Sequence, residues 1–255
     1  MNSNGFRGKW THEPQIPGKS KKPDYLLNHN GQECFFEVKE LRKKDNEPTK
    51  WPAYIDPYTG LRNKIDKAKK QFKEYKEHCC SLVVFNIDDR QARFDPQTIL
   101  GAMLGNLGFE MDIDVAEGKG VEGTERNVFL GGGKMIDDKR NQPRNTTISA
   151  IVVLEEFRDD SEIQKAIKEE VKKQGKPLTL VEKVEANIKI VKNHHSSCVP
   201  RVVVVESPFA RMAFPEGLFV GPFDERWRYT MQNGARERVF VGNELRELEE
   251  LKGKS

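Results

Sequence analysis

The stretch PDYLLNHNGQECFFEVK, residues 23–39, decides the fold. Asn30-Gly31 is the strongest short signal for a two-residue hairpin turn, because both turn positions need a left-handed backbone that Asn and Gly tolerate. Residues 24–29 and 32–39 therefore read as two antiparallel strands. The turn sets the register. His29 pairs with Gln32, Asn28 faces Glu33 and, further along the ladder, Asp24 faces Glu37. Directly opposed residues share a face, with Cβ atoms about 4.5–5.5 Å apart. Lys39 lies two residues beyond Glu37 and projects from the same face, while Phe36 and Val38 point to the other. Three charged groups thus converge, and two carboxylates that close repel unless a cation lies between them.

Working outward, residues 1–22 contain Gly5, Gly8, Pro14, Pro17 and Gly18, which leave no room for a long helix. Residues 45–60 read as loop. A helix is expected from about Leu61 to His78, with Leu61, Ile65, Ala68, Phe72 and Tyr75 forming one apolar stripe. Leu82 to Ile87 is a continuous apolar run, as in a strand buried on both faces. Asp95-Pro96 is a helix start, an N-cap followed by proline at the first helical position. Residues 105–146 are glycine-rich and polar and read as an inserted loop or lid, with one short strand near Val128–Leu130. Further strands are expected at 148–154 and 201–205, helices over 160–193 and 243–252, and an irregular stretch over 208–224. The order indicates a single α/β domain over residues 1–255, a mixed β-sheet flanked by helices. Its core would be residues 23–88 plus the two later strands.

Hydrophobic residues make up 36% of the 255 and charged residues 33%, so the chain is polar, but its apolar residues come in dense blocks that can build a core. No apolar run approaches the roughly 20 residues of a membrane helix, and Met1 to Trp10 hold no secretory apolar core. The four cysteines lack a disulfide spacing. These features point to a cytoplasmic protein with no membrane partner. The net charge of +3 is uneven: residues 1–80 carry +6 and residues 81–255 carry −3. A basic first third favours a polyanion such as nucleic acid, although a solvated lysine-rich surface would look the same.

The pattern acid-x-Lys is weak alone. Six instances occur, starting at Glu37, Glu74, Glu117, Asp137, Glu170 and Glu250. Only Glu37 has a partner acid placed by a turn. Closely spaced oxygen ligands suit Mg²⁺, which retains several waters, and Mn²⁺ would substitute. Such a metal polarises a phosphate and acidifies a bound water, and a lysine beside it can orient that water or stabilise developing charge. The bland alternative is an exposed hairpin whose acids are solvated and neutralised by Lys39.

Pro23-Asp24, with Glu37-Val38-Lys39 at the end of an apolar strand, resembles the PD-(D/E)xK nuclease superfamily, the restriction-endonuclease-like fold. Gln71-Phe72-Lys73-Glu74-Tyr75 in the following helix is similar to the Gln-x-x-x-Tyr motif of its helicase-associated exonuclease branch. The likeness covers about residues 23–88. It implies a Mg²⁺-dependent phosphodiesterase, and DNA is expected as substrate ahead of RNA, a choice the motif itself leaves open. Asp24 and Glu37 would ligate the metal with the Val38 carbonyl, Lys39 would be the catalytic lysine, and Gln71 and Tyr75 would border the site. Many members carry a further metal-binding glutamate on an earlier helix; Glu13 is the only acid before Asp24 and stands as that candidate. Lys64, Lys67, Lys70 and Lys73 are candidates for nucleic-acid contact. The segment after residue 90 would supply substrate recognition or the contacts of a homodimer or partner subunit. An RNase or nuclease toxin of the same fold, and a non-catalytic nucleic-acid-binding module, are the alternatives. Gly131-Gly132-Gly133-Lys134 lacks the spacing of a phosphate loop. His194-His195 with Cys198 lacks a second pair of zinc ligands.

Overall fold

A computed structural model describes residues 9–41, 56–86, 94–124, 126–137, 142–159, 165–166, 169, 172, 197–221, 223–232 and 237–241. In chain order the elements are β1 (Lys9–His12), β2 (Tyr25–His29), β3 (Gln32–Leu41), α1 (Thr59–Gln71), a single 3-10 turn (Phe72–Glu74), β4 (Cys79–Asn86), α2 (Pro96–Leu104), β5 (Gly105–Glu110), β6 (Ile113–Asp114), β7 (Lys119–Gly120), β8 (Arg126–Gly132), β9 (Ile136–Asp137), β10 (Gln142–Pro143), β11 (Ile148–Asp159), β12 (Ser197–Glu206), β13 (Glu225–Gln232) and β14 (Glu237–Val241). The chain divides into two compact units, residues 1–154 with 202–255 and residues 155–201. The smaller one contains an ion pair between Arg201 Nε and Glu155 Oε1 at 2.7 Å. The larger one holds the hairpin and both helices.

The large sheet runs β1-β2-β3-β4-β11-β12-β13-β14. It is mixed: β1/β2, β2/β3 and β13/β14 are antiparallel, whereas β3/β4, β4/β11 and β12/β13 are parallel. The fold is therefore α/β with a large mixed sheet and two helices. Both helices pack on one face, against Phe35, Leu82, Val84, Ile151, Val153, Val203 and Val205. The opposite face, with Phe36, Val83, Val152 and Val204, is covered by Phe214 and Leu218 of the irregular stretch after β12. Alternate residues of each strand divide between these clusters, as the period of two requires. No helix among the described residues is long and apolar enough to cross a membrane.

Asn30 and Gly31 both have positive φ, +51° and +83°, and the Asn28 carboxamide accepts a bond from the Gly31 amide at 3.1 Å. The hairpin register follows: His29 faces Gln32, Asn28 faces Glu33 and Tyr25 faces Phe36. α2 begins where the Asp95-Pro96 signal places it, with the Asp95 carboxylate accepting from the Thr98 amide at 2.9 Å. α1 differs from expectation at its end. It stops at Gln71 and tightens into the 3-10 turn, whose three-residue period stacks Phe72 and Tyr75 on one side. Both are fully buried.

Residues 105–146 are not one loop. The strand expected near Val128–Leu130 lies inside β8, β5 and β8 pair over six positions, and β6 pairs with β7 in a separate two-stranded hairpin between them. β1, β13 and β14 have no counterpart in the order expected from the sequence, and β11 and β12 are longer than expected. The helices expected over 160–193 and 243–252 lie almost wholly outside the described residues.

Candidate active site

The end of the β2–β3 hairpin brings three charged side chains together. Asp24 precedes β2 directly, and its Oδ2 accepts from the Val38 backbone amide at 2.7 Å. That bond ties the first acid to the strand carrying the second. Glu37 is 5% exposed. One of its oxygens, Oε1, is bound by the Lys39 ammonium. The other, Oε2, is buried and lacks a hydrogen-bond partner among the described residues. Phe36 and Val38 pack into the opposite cluster, so the alternation read from the sequence holds.

Burial pushes the Glu37 carboxyl above the ordinary carboxylate range; the Lys39 ammonium pulls it down and the nearby Asp24 charge raises it again. Burial is the larger cause, and the opposing pulls of Lys39 and Asp24 reflect two opposite charges close to one carboxyl. A buried carboxylate oxygen without a donor is costly, and a divalent cation with oxygen preference would satisfy it. The donor set present, two carboxylates near one another, is what Mg²⁺ takes when waters and phosphate oxygens complete its shell. Among the described residues no group of three or more His, Cys, Asp or Glu assembles into a metal site. Glu13 sits beside Asp24 in the neighbouring segment, but the contact is from its backbone amide to the Asp24 carbonyl at 2.8 Å, and its side chain is exposed.

Gln71 and Tyr75 act at one remove. Residues 19–22 run as a strap across the end of α1. The Gln71 amide donates to the Lys22 carbonyl, and the Tyr75 hydroxyl donates to the Lys21 carbonyl. Glu74 accepts from the Ser20 amide at 2.7 Å and from its hydroxyl, and its own carbonyl accepts from Lys19 Nζ at 2.6 Å. The Lys19 ammonium also lies over the Tyr75 ring, 5.7 Å from its centroid. The strap leads straight into buried Pro23 and then Asp24. The Gln-x-x-x-Tyr pair thus fixes the segment that delivers the first acid, and fully buried Tyr75 reaches the site only through it. Glu74 was missed by sequence reasoning. Its one signal, membership of the acid-x-Lys set, pointed to the wrong chemistry.

Of the four helix lysines, Lys64 is half-buried. Its ammonium is held below the usual lysine range by burial and by repulsion from Lys67 and from Lys39, which places it in the field of the site. Lys67, Lys70 and Lys73 are exposed. The four cysteines are free, with Cys34, Cys79 and Cys80 buried. No family model, curated protein or solved structure matches this chain.

Proposed function

We propose that the chain is a Mg²⁺-dependent phosphodiesterase that cleaves DNA, built on a restriction-endonuclease-like sheet. The observation that carries this reading is the buried Glu37 carboxylate, with one oxygen on Lys39 and the other unpartnered beside Asp24. Asp24 and Glu37 would hold the divalent cation. When bound, that cation supplies a Lewis acid for the scissile phosphate and lowers the pKa of a coordinated water. Lys39, a quarter exposed, can turn its ammonium from Glu37 to the attacking water or to the phosphate oxygens. Asp24 is kept in place by the Val38 amide and by the strap. Lys64 adds positive potential at the site, and the exposed lysines of α1 offer phosphate contacts.

The test is incubation with plasmid, linear duplex, single-stranded DNA and RNA, each with Mg²⁺, with Mn²⁺ and with EDTA. Cleavage of a DNA substrate that EDTA stops, and that Lys39→Ala loses, supports the reading. Cleavage confined to RNA would move it to a ribonuclease of the same fold. Binding of nucleic acid without cleavage under any metal condition would refute catalysis.

A further inference from the structure

Ile16-Pro17-Gly18-Lys19 is a reverse turn: the Lys19 amide donates to the Ile16 carbonyl at 3.2 Å, and Gly18 has a φ of +74°. Proline second and a left-handed glycine third are what a type II turn favours. Ile16 packs against the core on the helix side of the sheet. At the other end of the strap Pro23 is buried, and Asp24 follows it. Proline fixes its own φ and confines the residue before it, Lys22, to extended backbone. A segment with a preset turn at one end and a proline at the other has little slack, so a shift at its middle passes along to Asp24. Glu74 holds that middle. Its Oε2 accepts from the Ser20 amide at 2.7 Å, its Oε1 from the Ser20 hydroxyl, and its backbone carbonyl from Lys19 Nζ at 2.6 Å. The Ser20 hydroxyl and amide hold the Glu74 carboxyl below the ordinary carboxylate range, helped by the Lys21 amide and the Lys19 charge. A hydrogen bond to an ionised group is roughly twice as strong as a neutral one. The Gln71 and Tyr75 bonds to the strap are both neutral.

We propose that Glu74 is a positioning residue for Asp24: its carboxylate pins Ser20 and, through the strap, sets where the first metal ligand stands. The proposal rests on Asp24 being a metal ligand. Glu74 acts through Ser20 and residues 21–23, and not on the reacting atoms. The strap delivers Asp24 to its bond with the Val38 amide at 2.7 Å. Without the Glu74 carboxylate, the turn at Pro17-Gly18, buried Pro23 and the core beneath all remain, so the fold should stand while the position of Asp24 spreads. Loss of a group that orients a metal ligand costs about 10–100-fold in metal affinity.

Two readouts test it without substrate. Calorimetric titration with Mg²⁺ reads the ligand, and the rate of tryptic cleavage after Lys19 and Lys21 reads the strap. Glu74→Ala should raise the Mg²⁺ dissociation constant at least about tenfold, speed cleavage at both lysines and leave the melting temperature unchanged. Glu74→Gln, which keeps one oxygen for Ser20, should fall between Glu74→Ala and wild type on both readouts. Glu77→Ala should match wild type, because Glu77 pairs with Arg211 at 3.1 Å rather than with the strap. If Glu74→Ala fails to fold, Glu74→Gln is read in its place. A strap that trypsin opens while Mg²⁺ affinity stays at the wild-type value would make Glu74 a scaffold residue and overturn the proposal. So would a strap that stays closed without the carboxylate. A wild type that binds no Mg²⁺ would overturn the function on which the proposal rests, and the proposal with it.

Discussion

Replacing Glu37 with Gln tests the site through stability rather than rate. In the absence of metal, the native protein holds a buried carboxylate whose Oε2 has no donor. Such a group costs about 1–3 kcal/mol. The carboxamide of Glu37→Gln would keep an oxygen for Lys39 and replace the buried charge on Oε2 by a neutral amide. Against this stands the weakened bond to Lys39, about 1 kcal/mol once its charge assistance is lost. The net gain should be about 1 kcal/mol, which for a domain of this size raises Tm by about 2–4 °C. The sign of the pH dependence follows from the raised Glu37 pKa. The ionised form is disfavoured only in the folded state. Its penalty is complete above the folded pKa and fades as the pH falls toward the ordinary carboxylate value. The variant's advantage should be largest at alkaline pH and should shrink in acid. Adding Mg²⁺ at about ten times its dissociation constant should stabilise wild type by about 1.4 kcal/mol and leave Glu37→Gln unmoved. Scanning calorimetry in EDTA and in Mg²⁺ across the pH range reads all of this. A variant that melts below wild type at alkaline pH in EDTA, or one that responds equally to Mg²⁺, would refute the reasoning.

Lys39→Ala should abolish cleavage and leave DNA affinity within about threefold, because affinity comes mainly from many phosphate contacts; filter binding and gel assays separate the two. Gln71→Ala should lower the cleavage rate at least about tenfold, or about 1.4 kcal/mol in the barrier, by freeing the Lys22 carbonyl and so the approach to Asp24. Lys73→Ala should instead reduce affinity and its salt slope, and equal small effects from both would make α1 a mere scaffold. Gly101→Ala should destabilise by about 1–3 kcal/mol, because a Cβ there would overlap the Tyr58 ring in a packed contact; an unchanged melting curve would contradict it.

The hairpin was legible because its information is local. Two residues set the turn, the turn sets the register, and the register places Asp24, Glu37 and Lys39. α2 was legible for the same reason, through Asp95 and Pro96. Of residues 105–146 the strand near Val128–Leu130 was legible and lies inside β8. Its partner β5 was not, because glycines and exposed side chains offer no core to infer a strand from. The strap was invisible for another reason. Its bonds join residues about 50 positions apart, and carbonyls of Lys21 and Lys22 carry no side-chain signature. The pairing of Glu37 with Asp24 could be read, while the depth of its burial, which depends on sheet and helix together, could not.

The strap also sets how the protein should fail on heating. Residues 19–22 belong to no strand, and the bonds described for them run chiefly to one helix end. The sheet behind them is held by β3, β4 and β11, whose side chains fill both cores. Lifting of the exposed strap from the helix end therefore needs far less free energy than global unfolding, while Phe72 and Tyr75 keep that end of the helix in the core. When it lifts, Lys21 and Lys22 are released together and Asp24 loses its lead-in, while β3 still carries Glu37 and Lys39. Thermal inactivation should precede the loss of sheet structure, and cooling should restore activity as quickly as the strap can redock.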